Sequence, residues 1–182
     1  MADQPLDHLT NALAFCINAH QGQFRDGNAA LPYATHPIDV CNIMRYVGGV
    51  EDQTLLCAAL LHDVLEESDV THHELAQHFG EEVAELVSQV TRFEPDTTGL
   101  SEDERYQLRT KLFLEEIEKM SERAHVIKLA DRLSNLQQAR VTRPKKKLAR
   151  YIDQTKLILE IIPRTVNPAL WDAVQAETKK KG

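Results

Sequence analysis

Residues 59–68 read ALLHDVLEES, in which an apolar run from Leu55 ends in His62, Asp63, Glu66 and Glu67. On a helix His62 and Glu66 stand four apart, Asp63 and Glu66 three, and Asp63 and Glu67 four, so the polar groups share one end of one face. An imidazole and a carboxylate there could reach a single metal ion, and paired carboxylates could move a proton. Three carboxylates this close repel one another unless a cation compensates them. Burying them unpaired is costly, so either the helix runs out into water or something cationic meets it.

Two other stretches bear on that choice. His36 lies in PYATHP, at a loop-to-helix junction where the ring either projects into a cleft or caps the helix. Asp131 lies in VIKLADRLSNL, where Lys128, Asp131 and Asn135 form a polar stripe on an otherwise apolar helix. That stripe reads either as part of a site or as surface pairing of Asp131 with Lys128 or Arg132.

The elements that must position these residues are helical. Leu6, Leu9, Leu13 and Ile17 mark one face of a first helix, and a loop rich in Asp, Gly, Asn and Pro follows at 26–37. Pro37 stands at the start of a second helix, with Ile38, Cys41, Met44 and Val47 as its stripe. Residues 52–66 make the most apolar helix, expected at the centre. Thr71-x-x-Glu74 and Ser101-x-x-Glu104 are capping boxes opening further helices. Apolar stripes predict helices over 81–91 and 124–138, from Pro144 and from Pro168, while 92–100 is a loop. No alternating strand pattern is evident, so the chain predicts an all-α globule of about seven to nine helices.

At 182 residues one domain over 1–182 is expected. No apolar stretch reaches transmembrane length, and no signal peptide is evident, so no membrane association is expected. Twenty-eight acidic residues against 21 basic, net charge -7, argue against a nucleic-acid partner. Cys16, Cys41 and Cys57 are widely spaced in apolar helical patterns, which predicts reduced core thiols in a cytoplasmic protein. Nothing in the sequence bears on the oligomeric state.

In order along the chain, His36, His62–Asp63 and Asp131 resemble the H…HD…D signature of HD-domain metal-dependent phosphohydrolases, an all-α family. The flanking AHQGQFRDGNAALPYATHPIDV, AALLHDVLEES, ELAQHFGEEVAELVSQVT and VIKLADRLSNL are similar to the hydrolase domain of the RelA/SpoT family. Without a synthetase or regulatory segment, the chain most resembles the stand-alone small alarmone hydrolases, in their short metazoan-type form. The similarity runs from about Ala14 to Leu136, with a weaker echo near Tyr151, and residues 144–180 are expected to complete the pocket.

The resemblance implies that His36, His62, Asp63 and Asp131 hold one divalent metal, usually manganese, a donor set also compatible with iron or zinc. It implies Glu66 and Glu67 as general base and partner for the attacking water. Arg25, Asn135, Lys147 and Tyr151 are implied as contacts of a small nucleotide substrate. The implied activity is hydrolysis of the 3′-pyrophosphate of guanosine tetra- or pentaphosphate. The alternatives are a phosphatase acting on NADPH or another 2′/3′-phosphorylated nucleotide, and a non-catalytic nucleotide-binding module. Four departures from the family pattern bear on substrate preference. Asp26 stands where a Lys is usual, Glu67 replaces an Asp, Ser134 replaces a larger His or Tyr, and the 92–100 loop is acidic.

Overall fold

The computed structural model describes residues 5–25, 28–92 and 94–180. Helix α1 (Pro5–Ala19) leads into a short antiparallel hairpin, β1 (Phe24–Arg25) and β2 (Asn28–Pro32), with Phe24 opposite Pro32 and Arg25 opposite Asn28. These strands correct the strand-free expectation for this region. β1 is two residues long, too short to show an alternating pattern. Helix α2 (Thr35–Tyr46) follows and carries His36 and Pro37 in its first turn.

The expected single helix over 52–66 is broken. Helix α3 spans Gln53–Leu61, and a separate turn, α4, spans Val64–Glu67. At the break Asp63 adopts φ -99° and ψ -4°, in the bridge region common among active-site residues. The backbone N–H groups of Glu66 and Glu67 bond back to Asp63 O at 3.2 and 2.9 Å, so the chain turns directly after the ligand candidates. The four polar groups therefore do not lie along one straight face. The break points His62 and Asp63 inward and leaves Glu66 and Glu67 on a new turn.

Residues Leu55–Leu61 of α3 are all buried, as a helix apolar on every side requires. Asp52 caps α3 by accepting from Leu55 N. Helices α5 (His72–Phe79) and α6 (Glu81–Val90) are joined at Gly80, whose φ of +86° suits glycine. Both expected capping boxes form, at Thr71–Glu74 on α5 and at Ser101–Glu104 on α7 (Glu102–Lys119). The long α8 (Glu122–Thr142) brings Lys128, Asp131 and Asn135 against α2 and α3. Helix α9 (Lys145–Ile161) packs on α7 and α8, and α10 (Pro168–Lys179) closes against α8 and α9 after a 3-10 turn at Arg164–Val166. Counting α3 and α4 as one broken helix gives nine helical units among the described residues, and the fold is all-α apart from the hairpin. No described helix is long and apolar enough to cross a membrane.

Candidate metal centre and substrate cavity

His36 from α2, His62 at the end of α3 and Asp131 from α8 converge, each offering a ligand atom within 4.8 Å of the others. His36 Nε2 lies 3.2 Å from Asp131 Oδ1, and His62 Nε2 lies 3.9 Å from the same oxygen. Asp63 flanks the triad, with Oδ1 3.1 Å from His62 Nε2 and Oδ2 3.7 Å from His36 Nε2. Donor atoms around a metal bonded at about 2.1 Å fall roughly 3–4 Å apart, which these separations approach.

The protonation pattern makes the case stronger. His62 Nδ1 stands 2.8 Å from Ala59 O, which can only accept, so Nδ1 carries the ring proton. Nε2 is then a bare lone pair, buried and without a hydrogen-bond partner among the described residues, facing a carboxylate oxygen. Two electron-rich atoms held this way are stabilised by a cation between them. Asp131 is held well below the ordinary carboxylate range. Burial alone would raise it, but the Lys128 ammonium beside it outweighs that penalty. The residues therefore fit a divalent metal.

His36, Asp63 and Asp131 of this cluster line the floor of a cavity of about 690 Å³, within the range of small-molecule sites, with His62 behind them. Glu66 and Glu67 line it beside the floor. Glu66 Oε2 accepts the Arg92 backbone N–H at 3.0 Å, and desolvation against the cavity wall raises its carboxyl above the ordinary value. Glu67 is exposed, with its backbone oxygen bonded by Gln23. Arg25 reaches across from β1 to the side-chain oxygens of Asn135 (3.2 Å) and Gln138, with its guanidinium 5.4 Å from the Tyr33 ring. Asn135 and Tyr151 also line the cavity, whereas Lys147 does not: it lies in the adjoining groove between α7 and α9. Asp26 lies outside the described residues. Burial pushes the Cys41 and Cys57 thiols up to about 11, and burial aided by Asp63 pushes Cys16 to about 12, which excludes a thiolate nucleophile at neutral pH.

Residues 12–158 match the HD-domain profile. The chain belongs to the HD-domain family. It is 36% identical over 128 residues to the guanosine-3′,5′-bis(diphosphate) 3′-pyrophosphohydrolase MESH1 of Xenopus tropicalis, covering 70% of this chain and 67% of that one. The Drosophila melanogaster protein of the same name is 35% identical over 144 residues, covering 79% and 76%. A solved structure of a metazoan ortholog of SpoT that hydrolyzes ppGpp has a TM-score of 0.82 to this chain at 30% identity, covering 100% of this chain and 99% of the other.

Around its centre this HD domain holds a polar network that sequence reasoning missed. Ser134 Oγ donates to Asp39 Oδ2 at 2.6 Å, so its single proton is committed and its oxygen accepts from His36 Nδ1 at 3.1 Å. The relay from Asp39 through Ser134 sets the His36 tautomer that leaves Nε2 open towards Asp131. Tyr33 donates to Asp63 Oδ2 at 2.8 Å and orients that carboxylate. Lys128 is buried between Asp131 Oδ2 (3.2 Å), Val90 O (3.3 Å) and the Phe113 ring. Arg132, also buried, turns away from Asp131 to bond Thr155, Gln154 and the Tyr151 carbonyl, and stacks 3.7 Å over the Tyr151 ring. The Asp131–Lys128 pairing weighed from sequence thus exists, but it is buried beside the site and not on the surface.

The relay carries a prediction. Ser134→Ala leaves the four ligand candidates in place but frees the His36 ring to turn or change tautomer. Metal affinity should fall about 10- to 100-fold, measured by titrating the apoprotein with manganese and following calorimetric heat. Unchanged affinity would show that packing alone orients His36.

Proposed function

We propose that this chain is a manganese-dependent hydrolase that removes the 3′-pyrophosphate of guanosine tetra- or pentaphosphate. The products are pyrophosphate with GDP or GTP. The observation that carries this reading is the set of facing lone pairs and carboxylates at His36, His62, Asp63 and Asp131, sunk in a cavity with cationic walls. The names of its relatives support the same substrate. When bound by these four residues, a divalent cation polarises a phosphoryl oxygen and lowers the pKa of its water.

The chain's own residues supply the rest. Glu66, anchored by the Arg92 backbone N–H with its carboxyl raised by desolvation, takes a proton from the attacking water, and Glu67 orients that water. The water oxygen bonds to the phosphorus attached at O3′, the O3′–P bond breaks, and a proton ends on the ribose oxygen. Arg25 and Asn135 hold the nucleoside side, while Tyr151 and Lys147 face the remaining phosphates. Three free cysteines are in keeping with a reducing, cytoplasmic setting.

Product analysis tests the reading. The manganese-loaded protein should convert guanosine tetraphosphate to GDP and pyrophosphate. If it left that nucleotide intact and released inorganic phosphate from NADPH, the phosphatase reading would replace this one. If it bound both and cleaved neither, the chain would be a binding module.

A further inference from the structure

The turn that follows α1 is tied to the catalytic centre through one side chain. Gly22 takes a left-handed φ of +79° there, and Gln23 then enters the wall of the catalytic cavity. Four hydrogen bonds meet at Gln23. Its backbone N–H donates to His20 O at 3.1 Å, and its backbone oxygen accepts from the Tyr33 N–H at 3.0 Å. Its side-chain Oε1 stands 2.8 Å from His20 Nδ1, and its Nε2 donates to the Glu67 carbonyl. A carboxamide oxygen only accepts, so His20 Nδ1 carries the ring proton. That proton fixes the amide, because the reversed amide would set Oε1 against the Glu67 carbonyl, acceptor against acceptor. His20 Nε2 is then a buried lone pair with no hydrogen-bond partner among the described residues, a cost that an apolar ring stacked on Tyr33 would avoid. What the imidazole supplies in return is its bond to Gln23.

These bonds close a circuit. Gln23 Nε2 holds Glu67 O, and the Glu67 N–H bonds Asp63 O at 2.9 Å. The Tyr33 hydroxyl bonds the Asp63 carboxylate at 2.8 Å, and the Tyr33 N–H returns to Gln23 O. The circuit joins a metal-ligand candidate to the turn that carries Glu66 and Glu67. That turn, α4, is four residues long, so its carbonyls lack helical partners, and Gln23 meets the last of them. The Arg92 N–H fixes the Glu66 side chain but not the backbone beneath it. We propose that Gln23 is a positioning residue for the hydrolytic step: its carboxamide, oriented by His20, sets the Glu66–Glu67 turn at its working distance from the metal centre. The proposal rests on the function proposed above.

The test is kinetics of the manganese-loaded full chain carrying Q23L, with guanosine tetraphosphate. kcat should fall about 10- to 100-fold, the scale expected when a catalytic group is displaced, while KM and bound manganese stay within about twofold of wild type. Added to the more damaging of E66Q and E67Q, Q23L should cost less than about twofold more, because a residue acting only through the base then has nothing left to position. Q23N, with the same amide on a side chain one methylene shorter, should show the same split if circular dichroism finds Q23L unfolded. An unchanged kcat would overturn the proposal. So would a raised KM with kcat unchanged, which would make Gln23 a substrate contact, or full additivity with the glutamate variant. If the wild-type protein left guanosine tetraphosphate intact but hydrolysed NADPH, the proposed function would fail, and the same comparison on NADPH would still decide Gln23. If it hydrolysed neither, hydrogen exchange decides it. Faster exchange in Q23L at the Glu66 and Glu67 amides supports the positioning role, and unchanged exchange there refutes it.

Discussion

Asp131→Ala is expected to yield a protein without bound divalent metal and with turnover reduced by at least about a thousandfold, because a metal ion supplies several kcal/mol of transition-state stabilisation. Asp131 Oδ1 is the atom both imidazoles face, so removing it opens the centre of the cluster and not its edge. The substitution has a second consequence. Lys128 is buried and would keep only the Val90 carbonyl and the Phe113 ring as partners. Stranding a buried charge costs about 3–5 kcal/mol, a fall in melting temperature on the order of 10 °C for a chain of this size. Asp63→Ala separates the two effects. Its described partners are the Tyr33 hydroxyl and the imidazoles, with no buried ammonium or guanidinium among them, so its melting temperature should fall less while metal is still lost. Stoichiometric metal in purified Asp63→Ala, measured by elemental analysis, would remove Asp63 from the ligand set and leave the triad of His36, His62 and Asp131.

Local signals in the chain were legible because local physics produces them. Thr71 with Glu74 and Ser101 with Glu104 each satisfy two helix-end N–H groups within four residues, so the pattern and the hydrogen bonds are nearly the same information. The residues that gather at the metal cluster were legible for a different reason. Each is a polar group set into an apolar helix or a helix junction, and only a shared tertiary purpose stabilises it. The break between α3 and α4 was not legible, since helical periodicity continues unbroken through Leu60, Leu61 and Val64. At the break the His62 ring bonds Ala59 O, three residues back, and the tertiary contact is that of Asp63 with Tyr33, which no local pattern reveals.

The same limit applies to the buried network. Asp39, Ser134 and His36 meet across 95 and 98 residues of chain, and Arg132 meets α9 across 19 to 23. A serine after an arginine in LADRLSNL reads as solvated from spacing alone. Its commitment to Asp39 emerges only once α2 lies against α8.

Glu66→Gln should retain the metal and lower kcat about 100- to 10,000-fold, the usual contribution of a general base. The exchange is nearly isosteric, and the amide oxygen can still accept the Arg92 backbone N–H that anchors this side chain. What it cannot do is take a proton from water. Burial raises the Glu66 carboxyl, and that change strengthens it as a base. Glu67 sits on the same turn and is likewise exposed, but no hydrogen bond fixes its carboxylate among the described residues, so Glu67→Gln should cost less, about tenfold. Single-turnover measurements at saturating substrate, with metal content determined on the same samples, compare the two. A larger loss in Glu67→Gln than in Glu66→Gln would exchange their roles and place proton abstraction on the open side of the cavity. Equal small losses would mean that neither carboxylate removes the proton. The ordering of the two variants therefore tests whether the Arg92 backbone N–H, which anchors Glu66 and not Glu67, is what selects the base.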